Sequence, residues 1–291
     1  KENLKYFDYI YLQRPHIAVK FIDIIKKYAH GKIFYFAHDL HYLRTYRNYL
    51  VTGDANALKE SEYWKPIEME LFTKADVGHV VGSYEQKVMQ EALPRKVIRN
   101  IPLYIYEKIP ENIEKDFSKR RDIMFVGGFS HTPNIDAVLW FARDIFPHVL
   151  EKYPEMKWHI VGSKAPESIL EIADENIIIE GFLSDAELEK LYRKSRLVVV
   201  PLRYGAGVKG KVVEAAYYEI PVVTTSIGGE GIDETVGSFI MEDDPDRMAE
   251  HICSLYENYA ELRQMSDAGR ELIRRYYTLN AAERILLEDM D

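Results

Sequence analysis

Residues 196–232 read RLVVVPLRYGAGVKGKVVEAAYYEIPVVTTSIGGEGI. The run 197–201 is apolar, with charge before it and glycines after it, the pattern of a strand buried on both faces. A loop over 203–208 follows, with glycine at 205 and 207. Residues 209–219 then read as a helix and 221–225 as a second buried strand. Strand, glycine loop and helix in that order present free backbone N–H groups and the positive end of a helix dipole at the carboxyl edge of a parallel sheet. Lys209 and Lys211 sit in the first turn, where cations oppose the dipole. A compensating anion is expected there, and a diphosphate would supply it. Glu214, three residues after Lys211, lies on a neighbouring helix face within reach of a sugar hydroxyl. The glycines alone would also fit an ordinary βα turn with two solvated lysines; the whole stretch narrows the reading.

The chain of 291 residues has room for two domains of ordinary size. No run of some eighteen apolar residues occurs. The single cysteine, Cys253, excludes an internal disulfide and a cysteine-based metal cluster, and suits a reducing, cytoplasmic setting. Net charge is −9 but uneven: residues 1–100 carry 16 Lys/Arg against 12 Asp/Glu, leaving 22 against 35 for the rest. The acidic whole argues against nucleic acid as a partner. The mildly basic first part suits an anionic acceptor or peripheral contact with a membrane surface; a chance distribution of surface charge gives the same count.

Outward from the opening stretch, strands and helices alternate, which predicts an α/β protein with parallel sheets covered by helices on both faces. Strands are expected at 6–12, 33–37 and 77–81, with helices at 15–29, 60–75 and 84–93, the last capped by Ser83. His38 and Asp39 fall at the carboxyl end of the second strand, where ligands bind in such sheets. Between them and about residue 57 the sequence is rich in Tyr and Arg and reads as a long loop. Residues 108–121 are charged, contain Pro110 and serve as a linker between a first domain, 1–107, and a second, 122–276. The second opens with a strand at 123–126, Gly127-Gly128, and a helix with Thr132 as cap and Pro133 at its first position. Strands at 157–161 and 177–179 follow, and then a capping box, Ser184 with Glu187. A last strand is expected near 238–241, and two helices over 245–260 and 260–276. The terminal segment 277–291 reads as one more helix.

Three stretches occur in a telling order: FVGGFSHTPNIDAVLWFA, then VGS and GFLSD, then PLRYGAGVKGKVVEA with PVVTTSIGGEG. Together they resemble glycosyltransferase family 4, in the sub-group with G-x-G-x-K-x-K-x-x-E-A. The resemblance is strong over 122–232 and looser over 6–102. It implies the GT-B fold, two Rossmann-like domains with parallel sheets, of which the first is incomplete because only its second half is matched. It makes 277–291 the helix that packs back on the first domain.

The resemblance further implies a retaining glycosyltransferase, of hexosyl type and independent of any metal or cofactor. It would move sugar from a nucleotide-diphosphate donor to a glycan or lipid-linked acceptor in surface polysaccharide synthesis. The donor would be held by Gly127 and Gly128, by Phe182 and Leu183 beside the nucleobase, and by Gly205, Ala206, Gly207, Val208, Lys209, Lys211 and Glu214. His38, Lys211 and Glu214 are the expected catalytic groups: His38 facing the sugar, Lys211 on the leaving diphosphate, Glu214 on the ribose.

Departures from the pattern matter. Gly128 and Pro133 stand where many members carry Arg and Lys, Ala206 stands where the first Glu of a Glu-x7-Glu pair would be, and Glu219 replaces a glycine before the Pro-Val-Val strand. They keep a second reading open, a non-catalytic GT-B-like binding or scaffold module of a larger assembly. A sugar-nucleotide epimerase of the same fold fits the motif order less well. No G-x-S-x-G elbow points to a hydrolase, and the remaining histidines lack metal-pair spacing.

Overall fold

The computed structural model describes residues 1–111 and 113–290. The linker and terminal segment expected from the sequence thus include one residue each, Asn112 and Asp291, outside the described residues.

Two all-parallel sheets are present. The first holds β1 (Tyr9–Gln13), β2 (Lys32–Phe36), β3 (Val77–Val80) and β4 (Val97–Asn100) in sequential order. The second holds β5 (Arg121–Val126), β6 (Trp158–Val161), β7 (Ile177–Gly181), β8 (Ser195–Val200), β9 (Val222–Thr224) and β10 (Phe239–Met241), in the order β10-β9-β8-β5-β6-β7. The chain therefore winds one way from β5 and the other way from β8. The carboxyl ends of those two neighbours flank a crevice, the place where open parallel sheets bind ligands. Two parallel sheets connected through helices give the α/β architecture that the sequence implied.

β8 is buried at all six positions, including two polar ones. Arg196 survives there because its guanidinium donates to the Arg120 carbonyl (2.6 and 3.0 Å) and the Tyr256 carbonyl (2.9 Å), and lies over the Tyr256 ring. A buried guanidinium left unpaired would be costly.

Several local expectations need correcting. The Tyr- and Arg-rich stretch after His38 is no loop: His41–Thr52 is a helix, followed by another, Ala55–Lys74. The first has no side-chain cap of its own. Glu68, from the middle of the second, accepts the His41 and Tyr42 N–H groups at 2.8 and 3.0 Å, so the cap is tertiary. Asp54 caps the second helix, which begins at Ala55, five residues before the expected start. Ser83 is the first helical residue of Ser83–Ala92 rather than its cap. Thr132 likewise opens Thr132–Asp144, with His131 at the cap position. That helix breaks at Ile145, where a second one, Phe146–Lys152, begins.

Two passes of chain connect the domains. On the outward pass, Phe117 is buried in the second domain's core. On the return, the helix Leu279–Met290 reaches the first sheet, where Asp289 meets His79 Nε2 at 3.0 Å and Arg99 Nε at 2.9 Å. The passes run side by side at one point: the Tyr106 N–H donates to the Tyr277 carbonyl at 2.8 Å, and Tyr106 bridges to Thr278.

Glu219, the oddity before β9, sits at φ +56°, in the left-handed region that favours glycine. Its carboxylate is fully buried and paired with Lys115 (3.1 Å) and Arg270 (2.9 Å). The ion pairs offset a strained backbone.

Candidate functional site

The crevice between the ends of β5 and β8 gathers most of the expected residues. The loop leaving β8 passes Gly205, Ala206 and Gly207 before the helix Gly210–Tyr217, with Lys209 at its cap position. Gly207 must be glycine on two counts. Its φ is +73°, and a Cβ there would lie 3.0 Å from the His38 carbonyl oxygen of the first domain. Gly210 has a neighbour as close: a Cβ would fall 2.5–2.6 Å from the Tyr104 ring and hydroxyl.

The two lysines do not point into solvent. Lys209 is buried, its ammonium bonded to the Gly207 carbonyl. Burial holds its pKa below the ordinary range, against the pull of the Glu230 and Glu85 carboxylates. Lys211 donates to Asn134 Oδ1 and lies 4.2 Å from the centre of the Phe125 ring. Burial, and then the charge on Lys209, bring it down to about 7. Gly127 makes this possible: a Cβ there would be 2.6 Å from the Lys211 ammonium and 2.8 Å from the Asn134 amide. Asn134 also donates to the Gly128 carbonyl at 2.8 Å, so one side chain ties the glycine turn to the lysine. The sequence reading missed Asn134, although its place in the first turn after a glycine loop was a usable signal.

Glu214 accepts from the Tyr192 hydroxyl at 3.0 Å, and burial raises its pKa. Tyr192 is fully buried and stacked on Tyr218, so one carboxylate oxygen is fixed in direction. Phe182 and Leu183 follow β7, the edge strand two places from the switch point. Phe182 is 79% exposed. No hydrogen bond among the described residues joins either to the loop at 205–208.

His38, at the end of β2, faces that loop across the domain gap. Its Nε2 lies 3.3 Å from Gln13 Oε1 at the end of β1, and its ring packs on Phe36. Burial, then the charge of Arg14, lowers its pKa. Next to it, Asp39 pairs with Arg44 and with His41 (3.2 Å). Although burial disfavours its charge, His41 is held up at about 9 by Asp39 and Glu68.

A set of charges unforeseen from the sequence joins the domains at this loop. Arg47 forms a two-pronged pair with Glu230 (2.6 and 2.8 Å) and donates to the Gly205 carbonyl at 2.8 Å. The Glu85 carboxylate accepts the Gly207 N–H. The signal available was the three-residue spacing of His41, Arg44 and Arg47, which suits one helix face better than a loop.

A cavity of 760 Å³ lies elsewhere between the domains, lined by Ser83, Tyr84, Lys87, Ile232, Arg275 and Arg284 among others. It borders Glu230 but touches neither lysine of the loop. The switch point, not this cavity, brings together the backbone and charges expected to hold a diphosphate. Among the described residues no group of three or more His, Cys, Asp or Glu side chains is placed to hold a metal ion. No described helix is long and apolar enough to cross a membrane.

Residues 120–258 match the family model described as Glycosyl transferases group 1. An uncharacterized 44.6 kDa protein in the cps region of Klebsiella pneumoniae is 26% identical over 185 residues, covering 61% of this chain and 48% of that protein. The chain thus spans about half the length of the curated relative it matches. Among solved structures, S. aureus TarM, in complex with fondaparinux, α-GlcNAc-glycerol and UDP, has a TM-score of 0.68 at 18% identity, over 92% of this chain and 53% of that one. The E. coli trehalose-6-phosphate protein bound with UDP-2-fluoro glucose gives 0.72 at 13%, over 98% and 73%. The pneumococcal O-GlcNAc transferase GtfA, with UDP and GlcNAc, gives 0.69 at 17%, over 99% and 58%. The resemblance read from the sequence holds at the level of group 1 glycosyl transferases and the GT-B fold.

Proposed function

We propose, for a chain with the GT-B fold and a group 1 glycosyl transferase match over 120–258, that it transfers sugar from a nucleotide-diphosphate donor to a glycan or lipid-linked acceptor with retention. One observation carries the reading: Gly127, Lys209 and Lys211 converge at the β5/β8 switch point, beside a glycine loop and the start of a helix. The backbone N–H groups and ammonium groups there stabilise charge developing on a leaving diphosphate without a metal. Glu214 accepts from the ribose hydroxyls, its orientation fixed by Tyr192. Phe182 and Leu183 flank the nucleobase. His38 orients the transferred sugar from the opposite domain. The leaving phosphate itself takes the acceptor's proton on the same face, so no protein nucleophile is required. The relative in a cps region supports a role in surface polysaccharide synthesis.

The test is thermal stability against UDP, GDP, dTDP, CMP and AMP. Ligand at about 100 times its dissociation constant stabilises by roughly 2.7 kcal/mol. UDP is the first candidate, since three proteins of the same fold bind it or a UDP-sugar. A raised midpoint with one nucleotide supports the donor reading and identifies its base. No shift with any of them favours the non-catalytic module.

A further inference from the structure

We propose that Glu85 and Arg47 are positioning residues, through which the first domain holds the loop at 205–207 in its nucleotide-binding shape; this rests on the donor-site reading above. The loop does little to hold itself. Among the described residues, the hydrogen bonds to its main chain between Gly205 and Gly207 all come from side chains. Arg47 takes the Gly205 carbonyl, Glu85 the Gly207 N–H and Lys209 the Gly207 carbonyl. Two of the three come from the other domain. Both glycines carry positive φ, so the free loop has wide conformational choice, and these contacts select one shape.

Arg47 pairs with Glu230, and the Glu230 and Glu85 carboxylates pull on the buried Lys209 ammonium, while burial and then the Glu230 charge raise the Glu85 pKa. Arg47 also lies 5.0 Å from the centre of the Tyr84 ring. Glu85 is 1% exposed, and one of its oxygens has no hydrogen-bond partner. A purely mechanical latch between domains would need only surface groups. Here the bonds end on the main chain of the loop that precedes Lys209, so the first domain fixes where the ammonium and the backbone N–H groups point. Glu85 and Arg47 work through the loop and need not touch the donor.

The test compares wild type with Glu85→Ala, Glu85→Gln and, as a control on the same helix, the exposed Lys87→Ala. Three readouts are used: hydrogen exchange of segment 205–209 without nucleotide, the dissociation constant of whichever nucleoside diphosphate binds wild type, and the donor KM against kcat in turnover. Glu85→Ala is expected to exchange about tenfold faster over that segment and to bind about tenfold more weakly, the scale of one lost hydrogen bond to a charged group. Glu85→Gln, which keeps an acceptor for Gly207, restores both to within about threefold. Lys87→Ala changes neither. In turnover, Glu85→Ala raises the donor KM more than it lowers kcat. Wild-type exchange over 205–209 in a cooperatively melting Glu85→Ala protein overturns the proposal. If Glu85→Ala does not fold, Arg47→Lys is read instead: it loses the two-pronged geometry, and unchanged exchange there is equally fatal. Should wild type bind no nucleotide, the donor reading fails, while the exchange comparison still decides this one.

Discussion

Lys211 gives the sharpest prediction. In the ligand-free protein its ammonium titrates near 7 instead of its ordinary 10.5, because burial and Lys209 oppose its charge. A diphosphate in the crevice supplies the missing negative charge and returns the lysine to its protonated form. Above pH 7, binding must therefore take up a proton. The charged fraction in the free protein is about one half at pH 7 and about one hundredth at pH 9. The association constant should fall about 50-fold across that window, or about 2.3 kcal/mol. Calorimetric titration in buffers of different ionisation enthalpy measures both quantities: uptake near half a proton at pH 7, approaching one at pH 9. Lys211→Arg stays charged throughout and provides a curve from which the nucleotide's own titration can be subtracted. Stability has the opposite slope. The folded pKa lies below the unfolded one, so the unfolded chain binds more protons between 7 and 10.5, and the ligand-free protein gains stability as pH rises through that range. Parallel affinity curves for wild type and Lys211→Arg from pH 7 to 9 would refute the reasoning and remove the ammonium from the phosphate site.

Other residues give independent tests. Glu214→Ala should weaken ribonucleotide binding by about 10- to 100-fold, the worth of hydrogen bonds to a carboxylate, while a 2′,3′-dideoxy analogue loses little; equal losses for both would exclude a ribose contact. Glu219→Ala keeps the strained backbone and loses two partly screened ion pairs, so denaturant melts should show about 2 kcal/mol of destabilisation. Glu219→Gly relieves the strain and should be about 1 kcal/mol more stable than Glu219→Ala; the reverse order would contradict the account of that turn. Asp289→Ala leaves His79 and Arg99 without their shared carboxylate and should cost about 3 kcal/mol in the same assay; a change under about 0.5 kcal/mol would show that the terminal helix contributes little to holding the first sheet.

What the sequence disclosed was what short-range pattern encodes. The apolar runs of β5 and β8, the glycines after them and the lysines beyond lie within a few residues of one another, so strand, loop and helix could be placed together. The helix His41–Thr52 was hidden because its cap, Glu68, lies 27 residues beyond its first residue and becomes a cap only when the next helix folds against it. Arg47, Glu85 and Glu230 were hidden for a stronger version of that reason: their pairing spans more than 120 residues and two domains. Glu219 was visible as an irregularity, but its compensation by Lys115 and Arg270 depends on packing. Asn134 could have been found, since it occupies the first turn of a helix that follows a glycine loop.

The paired passes between the domains make the connection less like a flexible tether and more like a hinge leaf. One cord would let the halves swivel freely. Two cords stitched together at Tyr106 and Tyr277 share any torque, and swivelling must shear that stitch, whereas folding across the pair leaves it intact. Tyr104, two residues before the stitch, presses against Gly210 at the start of the helix that carries Lys211. The stitch between the two passes thus lies beside the helical turn that the donor reading depends on.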